Sequence, residues 1–196
     1  ACDEVWVVSK GAGDNLKSLG YQGDCVVMEN GVDLKKGLAS PELVAELRQK
    51  HALPADVPVF LFVGRLMWYK GARIILDGLK MIANDGRDFR MIFVGDSVER
   101  PEIEEYAKTL GIHEKCIFTG AVHNREIIRG YFTLSDLFLF PSSFDTNGIV
   151  VREAAACGKA SVLLRESCAS EGIEDGKTGL LIEETGESMA KCLSFA

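Results

Sequence analysis

The sequence has no apolar run near the roughly 20 residues that a helix needs to cross a bilayer. Its richest runs, Val57 to Val63 and Leu137 to Phe140, are the size of buried strands. It has no Cys-x-x-Cys pair, and its six cysteines (Cys2, Cys25, Cys116, Cys157, Cys168 and Cys192) are scattered. Several of them sit among apolar residues, which predicts buried free thiols in a reducing cytoplasm rather than a disulfide framework. Three isolated histidines give no zinc-site spacing, so no metal is expected. Basic excess is missing too: 22 Lys and Arg against 29 Asp and Glu give a formal charge of -7. That balance argues against a duplex-binding surface and predicts no nucleic-acid partner. It says nothing about a small cluster of cations built for one phosphate group. No internal repeat or low-complexity tract is present, and only 5 prolines interrupt the chain. The opening Ala-Cys-Asp-Glu supplies neither a basic nor a long apolar segment, so no signal peptide is expected. No Met stands first and a strand-like run follows almost at once, which predicts a piece cut from something longer.

What is present is ordinary globular material: 196 residues, 47% hydrophobic and 26% charged. Short apolar runs alternate with helix-like segments, the pattern of an α/β fold with a parallel sheet. The expected strands are Val5–Val8, Val26–Met28, Val59–Val63, Met91–Val94, Cys116–Thr119, Leu137–Phe140, Ser161–Leu164 and Leu180–Ile182. They are rich in Val, Ile, Leu and Phe without clean polar alternation, which suits strands covered on both faces. Ile74, Ile75, Leu79 and Ile82 repeat at helical intervals, as do Ile103, Tyr106, Ala107 and Leu110. Ser40 followed by Pro41 predicts an N-cap and first turn opening a helix through Lys50. A domain boundary is expected near Asp33. Residues 1–32 contain only two strands and one short helix, too little to bury a core alone.

Four constellations follow strands. Gly64-Arg65-Leu66, with Lys70-Gly71 behind it, comes after Val63, where open α/β sheets bind ligands. Arg65 can grip a diphosphate through a fork of donors and Lys70 as a mobile point charge; a turn with two solvated charges explains the same residues. Val94-Gly95-Asp96 strengthens the sheet assignment and carries no chemistry of its own. Phe118-Thr119-Gly120-Ala121-Val122 ends in small residues that can admit a flat base, or simply in a tight turn. Pro141 to Gly148 is a loop running into a helix that Gly158 stops. Free N–H groups at that helix start attract an anion. Asp145 precedes the helix, and Glu153 lies inside it among Val, Ala and Cys, where a carboxylate needs a partner. That partner is a ribose hydroxyl on one reading and a backbone group or an arginine on the other. All four constellations lie at carboxyl ends of parallel strands and therefore share one sheet edge. Two cations, a helix N-terminus and two carboxylates around one crevice match a nucleotide sugar.

In the order of these motifs the sequence resembles the C-terminal, donor-binding half of the GT-B glycosyltransferases of family four (group one). Asn30-Gly31-Val32-Asp33 resembles that family's interdomain junction, and Lys177-Thr178-Gly179-Leu180-Leu181 its late glycine turn. The resemblance implies a Rossmann-like parallel sheet flanked by helices, with residues 1–32 a remnant of the acceptor domain and 33–196 the donor-binding domain. It implies a glycosyltransferase that uses a nucleoside-diphosphate sugar with retention and without a required metal or other cofactor. Arg65 and Lys70 would then hold the diphosphate; Asp145 and Glu153 would occupy the family's paired glutamates, E-x7-E, the first on the sugar and the second on the ribose. Gly64 and the backbone amides of Asn147, Gly148 and Ile149 would line the donor, and Val122 would lie near the base. The missing N-terminal acceptor domain is the other implied partner, and membrane-surface association of the full-length enzyme is left open. Asp145 departs from the family's glutamate and reaches roughly 1.5 Å less far. Two rival readings stand beside this one. A non-catalytic α/β binding module would leave Asp145 and Glu153 structural. A dinucleotide-binding oxidoreductase would use Gly11-Ala12-Gly13 after a strand with Glu29 ending the next, although Leu16 occupies the third glycine position.

Overall fold

The computed structural model describes residues 3–194, so Cys2 lies outside the described residues. In chain order the elements are β1 (Val5–Val7), α1 (Lys10–Ser18), β2 (Cys25–Val27), α2 (Pro41–Lys50), β3 (Val59–Val63), α3 (Ala72–Asn84), β4 (Arg90–Val94) and α4 (Arg100–Thr109). They continue with β5 (Cys116–Gly120), α5 (Arg125–Leu134), β6 (Leu137–Phe140), α6 (Ile149–Ala156), β7 (Ser161–Leu164), β8 (Leu180–Ile182) and α7 (Gly186–Leu193). All eight expected strands form, each within a residue or so of the expected limits. Ser40 caps α2 by accepting from the Leu43 N–H, and Pro41 sits in its first turn. The amphipathic helices α5 and α7 were not marked out in the sequence reading.

Six strands make one parallel sheet in the order β5-β4-β3-β6-β7-β8. From β3 the chain adds β4 and β5 outward on one side, then returns to start β6 on the other side of β3. The loops after β3 and β6 therefore leave adjacent strand ends in opposite directions, and a crevice opens between them. β3, β6 and β7 are buried along their whole length, as expected for strands with helices on both faces. Phenylalanines of β3, β4 and β6 interlock: Phe62 packs against Phe93 and Phe140 with ring centroids 5.9 Å away in both cases. Each such buried ring contributes about 1.5–3 kcal/mol relative to an exposed one, so the strand ends that frame the crevice are held firmly.

β1 and β2 form a separate two-stranded parallel sheet. Among the described residues the contiguous apolar core runs from Leu34 to Leu193 and draws nothing from residues 3–32. The thiol expectation needs a correction. Cys116 and Cys157 are buried, whereas Cys25, Cys168 and Cys192 are only partly covered because they sit at element ends near the surface. Burial pushes the Cys116 thiol up to about 12 and the Cys192 thiol up to about 11.

The helix pair α3 and α7 meets at Gly78, where a Cβ would lie 2.5 Å from Cγ of Met189. Glycine costs about 0.5–1 kcal/mol against alanine in a helix interior, and the close approach of α7 explains its presence. Gly78→Ala is expected to lower stability by about 1–2 kcal/mol despite its better helix propensity, because overpacking outweighs that gain. The urea midpoint is the check; a rise in midpoint would show that α7 does not need the glycine.

Candidate functional site

The crevice at the β3–β6 reversal holds a cavity of about 370 Å³. Gly64, Arg65, Lys70, Asp145, Asn147, Gly148, Ile149 and Glu153 all line it. Val122 does not; it lines an adjoining hollow of about 240 Å³ with Gly95, Asp96 and Ala121, and the two share Val63, Gly64 and Arg65. Arg65 thus stands at the joint between a polar chamber and a smaller one walled by backbone and small side chains.

The loop after β3 is fixed from both flanks. Ser97 Oγ donates to the Leu66 carbonyl, and Glu99 accepts from the Trp68 N–H at 2.8 Å. On the other flank Gly71, at φ +85°, lies so close to the β6–α6 loop that a Cβ would come within 2.2 Å of the Pro141 carbonyl oxygen. Only glycine fits, on both conformational and steric grounds. The contact sets the 3-10 turn Trp68–Lys70 directly against the loop after β6, where Ser143 donates its N–H to the Tyr69 carbonyl at 3.2 Å.

The side chains meet across this seam. Lys70 Nζ lies 2.5 Å from Asp145 Oδ2, with both side chains largely covered. The Lys70 ammonium also sits 5.1 Å from the Tyr69 ring centroid and 5.5 Å from that of Phe140, favourable positions for a cation over aromatic faces. Arg65 donates to the Tyr69 hydroxyl at 2.9 Å and forms no ion pair among the described residues. A guanidinium held by one neutral partner keeps donors for an anion.

Glu153, 6% exposed, is the buried carboxylate of α6. Its Oε1 accepts from Arg125 Nη1 at 2.6 Å, and its Oε2 makes no hydrogen bond with the described residues. Arg125 opens α5, is about half exposed and lines the same cavity. Sequence reading missed it. The signal was the buried acid itself: an unpaired carboxylate at that depth costs several kcal/mol, so an arginine from another element was to be expected, though its position was not. Gly148 caps α6 in the left-handed region, φ +60°, where a Cβ would meet Ala169 at 2.9 Å. Among the described residues none accepts a hydrogen bond from the backbone N–H of Asn147, Gly148 or Ile149. Three open donors and the positive end of a helix dipole therefore border the cavity.

At Gly11-Ala12-Gly13 the geometry differs from a phosphate-binding turn. Glu171 already fills the start of α1, its carboxylate accepting from the N–H groups of Lys10 at 3.0 Å and Gly11 at 2.7 Å. A Cβ on Gly11 would lie 2.6 Å from Cys168 Sγ, so that glycine serves packing of the 168–171 stretch. Among the described residues no group of three or more His, Cys, Asp or Glu side chains is placed to hold a metal ion, and no helix is long and apolar enough to cross a membrane.

An open parallel sheet with cations, carboxylates and a helix N-terminus at its reversal point is the Rossmann-like architecture of GT-B glycosyltransferases. The chain belongs to the group 1 glycosyl transferases: that family's model matches residues 44–193. It is 30% identical over 138 residues to an alpha-D-kanosaminyltransferase of Streptomyces kanamyceticus, covering 70% of this chain and 35% of that protein. It is 29% identical over 162 residues to a GDP-mannose-dependent alpha-(1-6)-phosphatidylinositol monomannoside mannosyltransferase of Mycolicibacterium smegmatis, covering 79% and 42%. Among solved structures it is similar to Anabaena HepE in complex with UDP and glucose, with TM-score 0.88 and 25% identity over 99% of this chain and 53% of that one. Sucrose-phosphate synthase from Thermosynechococcus elongatus shares the fold at TM-score 0.85 over 100% of this chain and 49% of that one. The chain thus spans between a third and about half the length of these relatives.

Arg125→Ala is expected to destabilise the protein by about 1–2 kcal/mol, less than a fully buried pair would lose because water reaches Arg125. Adding Glu153→Gln to that variant should recover part of the loss. Urea unfolding of both variants measures it, and equal stability of Arg125→Ala and wild type would mean that Glu153 does not depend on the arginine.

Proposed function

We propose that this chain is the donor-binding part of a glycosyltransferase that takes sugar from a nucleoside-diphosphate sugar with retention of configuration. The observation carrying the reading is that Arg65, Lys70, Asp145 and Glu153 line one cavity although they come from loops and helices up to 88 positions apart. Residues 1–32 belong, on this reading, to a second unit that binds the acceptor, and residues 33–196 to the donor unit. The relatives' lengths and the UDP and UDP-glucose bound to HepE support it.

Each role follows from the local chemistry. Arg65, with open donors, and Lys70 take the two phosphates; as the glycosidic bond breaks, negative charge grows on the leaving diphosphate, and fixed cations stabilise it where it develops. The open amides of Asn147, Gly148 and Ile149 add partial positive charge to the same end. Glu153 offers Oε2 to a ribose hydroxyl while Arg125 holds Oε1. The hollow lined by Val122 and Gly95 receives the base. Asp145, one methylene shorter than glutamate and anchored to Lys70, meets the sugar from the loop; donor phosphate and Asp145 thereby share one ammonium. No side chain in this set is bound to a metal in the proposed chemistry, and the fragment alone has one wall of the cleft, so it binds donor weakly and transfers no sugar.

A thermal-shift screen with UDP, GDP and ADP tests the reading. At one hundred times Kd a ligand contributes about 2.7 kcal/mol, which corresponds to roughly 5–10 °C for a chain of this size. Arg65→Ala should abolish the shift. No shift with any nucleoside diphosphate favours a binding module without donor chemistry, and sugar transfer by the chain alone would contradict its proposed dependence on a second unit.

A further inference from the structure

We propose that Ser9 is a positioning residue for the loop that carries Asp145, so that the β1–α1 junction braces the donor site from behind. Ser9 is 2% exposed and uses its hydroxyl twice. Oγ accepts from the Ala12 N–H at 3.0 Å, capping α1, and donates to the Thr146 carbonyl at 2.5 Å. Beside it Asn147, 8% exposed, donates from Nδ2 to the Val8 carbonyl at 2.5 Å. These bonds join residues 137 and 139 positions apart.

The loop is therefore gripped from two sides. Its cavity side is held by Gly71 against Pro141, by Ser143 on the Tyr69 carbonyl and by Lys70 on Asp145. Its far side is held by Val8 and Ser9, which link β1 of the small separate sheet to α1. That sheet is itself fastened to the same region: Glu171 closes the start of α1, and Glu29 pairs with Arg152 of α6 at 3.0 Å. Asp145 and Thr146 are neighbours in the chain, so releasing the Thr146 carbonyl frees the residue next to the Lys70 partner. A shift of residues 3–29 against the large sheet is consequently felt at Asp145. Gly11-Ala12-Gly13, which as a sequence imitates a dinucleotide site, forms the first turn of α1, and its Ala12 N–H is the donor that holds Ser9 Oγ.

The brace stands on geometry alone; its effect on sugar recognition rests on the function proposed above. Two variants separate the hydroxyl's roles. Ser9→Gly keeps most of the capping preference, at a cost of a few tenths of a kcal/mol, and loses the bond to Thr146; Ser9→Thr retains the hydroxyl. Backbone NMR relaxation on the full chain should give order parameters near about 0.85 for Asp145 to Gly148 in wild type and Ser9→Thr, and below about 0.6 in Ser9→Gly. The amides of β3 and β4 should be unchanged. Rigid loop amides in Ser9→Gly, or loosening shared equally by β3 and β4, would overturn the brace. Calorimetric titration with UDP, UDP-glucose, GDP and GDP-mannose supplies the second arm. Ser9→Gly should weaken the sugar nucleotide about tenfold more than it weakens the diphosphate, the worth of one charged hydrogen bond made to the sugar alone. An unchanged ratio would disconnect Ser9 from sugar recognition. Wild type that binds none of the four would defeat the donor-site reading, and the relaxation data would still decide the brace.

Discussion

Between β3 and β6 the sheet reverses the direction in which strands are added, and the rest of the molecule depends on that reversal. Two neighbouring parallel strands end at the same edge, yet the loops that follow them must travel to opposite sides. The space left between them cannot be filled by either helix. It is bounded by Val63 and Phe140 at the strand ends, by Gly64, Arg65 and Lys70 on one side and by Asp145 to Gly148 on the other. The backbone contact of Gly71 with Pro141 then fixes how far apart the walls stand.

Within that space charge is arranged against the trend of the chain. The cavity has three cations, Arg65, Lys70 and Arg125, and two carboxylates, Asp145 and Glu153, a local balance of +1 in a protein of -7. Both acids are tied to a cation from a different element, which offsets the desolvation that a lone buried carboxylate would suffer. Arg65 is held by a neutral tyrosine and keeps its charge uncompensated. An anion entering the cavity meets that charge and the open amides at the start of α6, while long-range attraction from the whole protein contributes nothing.

The strands and the helices α2, α3, α4 and α6 were legible because each is a local pattern: apolar runs bounded by turn residues, a 3.6 period, a Ser-Pro start, a Gly stop. That Gly64, Arg65, Lys70, Asp145 and Glu153 would meet at one edge was legible for a related reason, since carboxyl ends of parallel strands share an edge wherever they fall in the order. Arg125 was not legible. Its partnership with Glu153 depends on α5 starting next to α6, and nothing in the chain between these residues, 28 positions apart, specifies that meeting. Gly11-Ala12-Gly13 misled for the converse reason: its local pattern imitates a phosphate turn, and only Glu171, far along the chain, shows that the position is taken. Val122 fell in the neighbouring hollow because two strands, β4 and β3, lie between β5 and β6 in the sheet.

By itself the sequence determined the α/β class, the strand positions and which side chains had chemistry to offer, because those follow from short-range sterics and from burial patterns repeated every two or 3.6 residues. Tertiary structure decided which strand lies next to which, and hence that Lys70 pairs with Asp145, Glu153 with Arg125 and Thr146 with Ser9. Those partnerships join positions 28 to 137 residues apart. Strand order is a property of the packed sheet, and no local segment contains it.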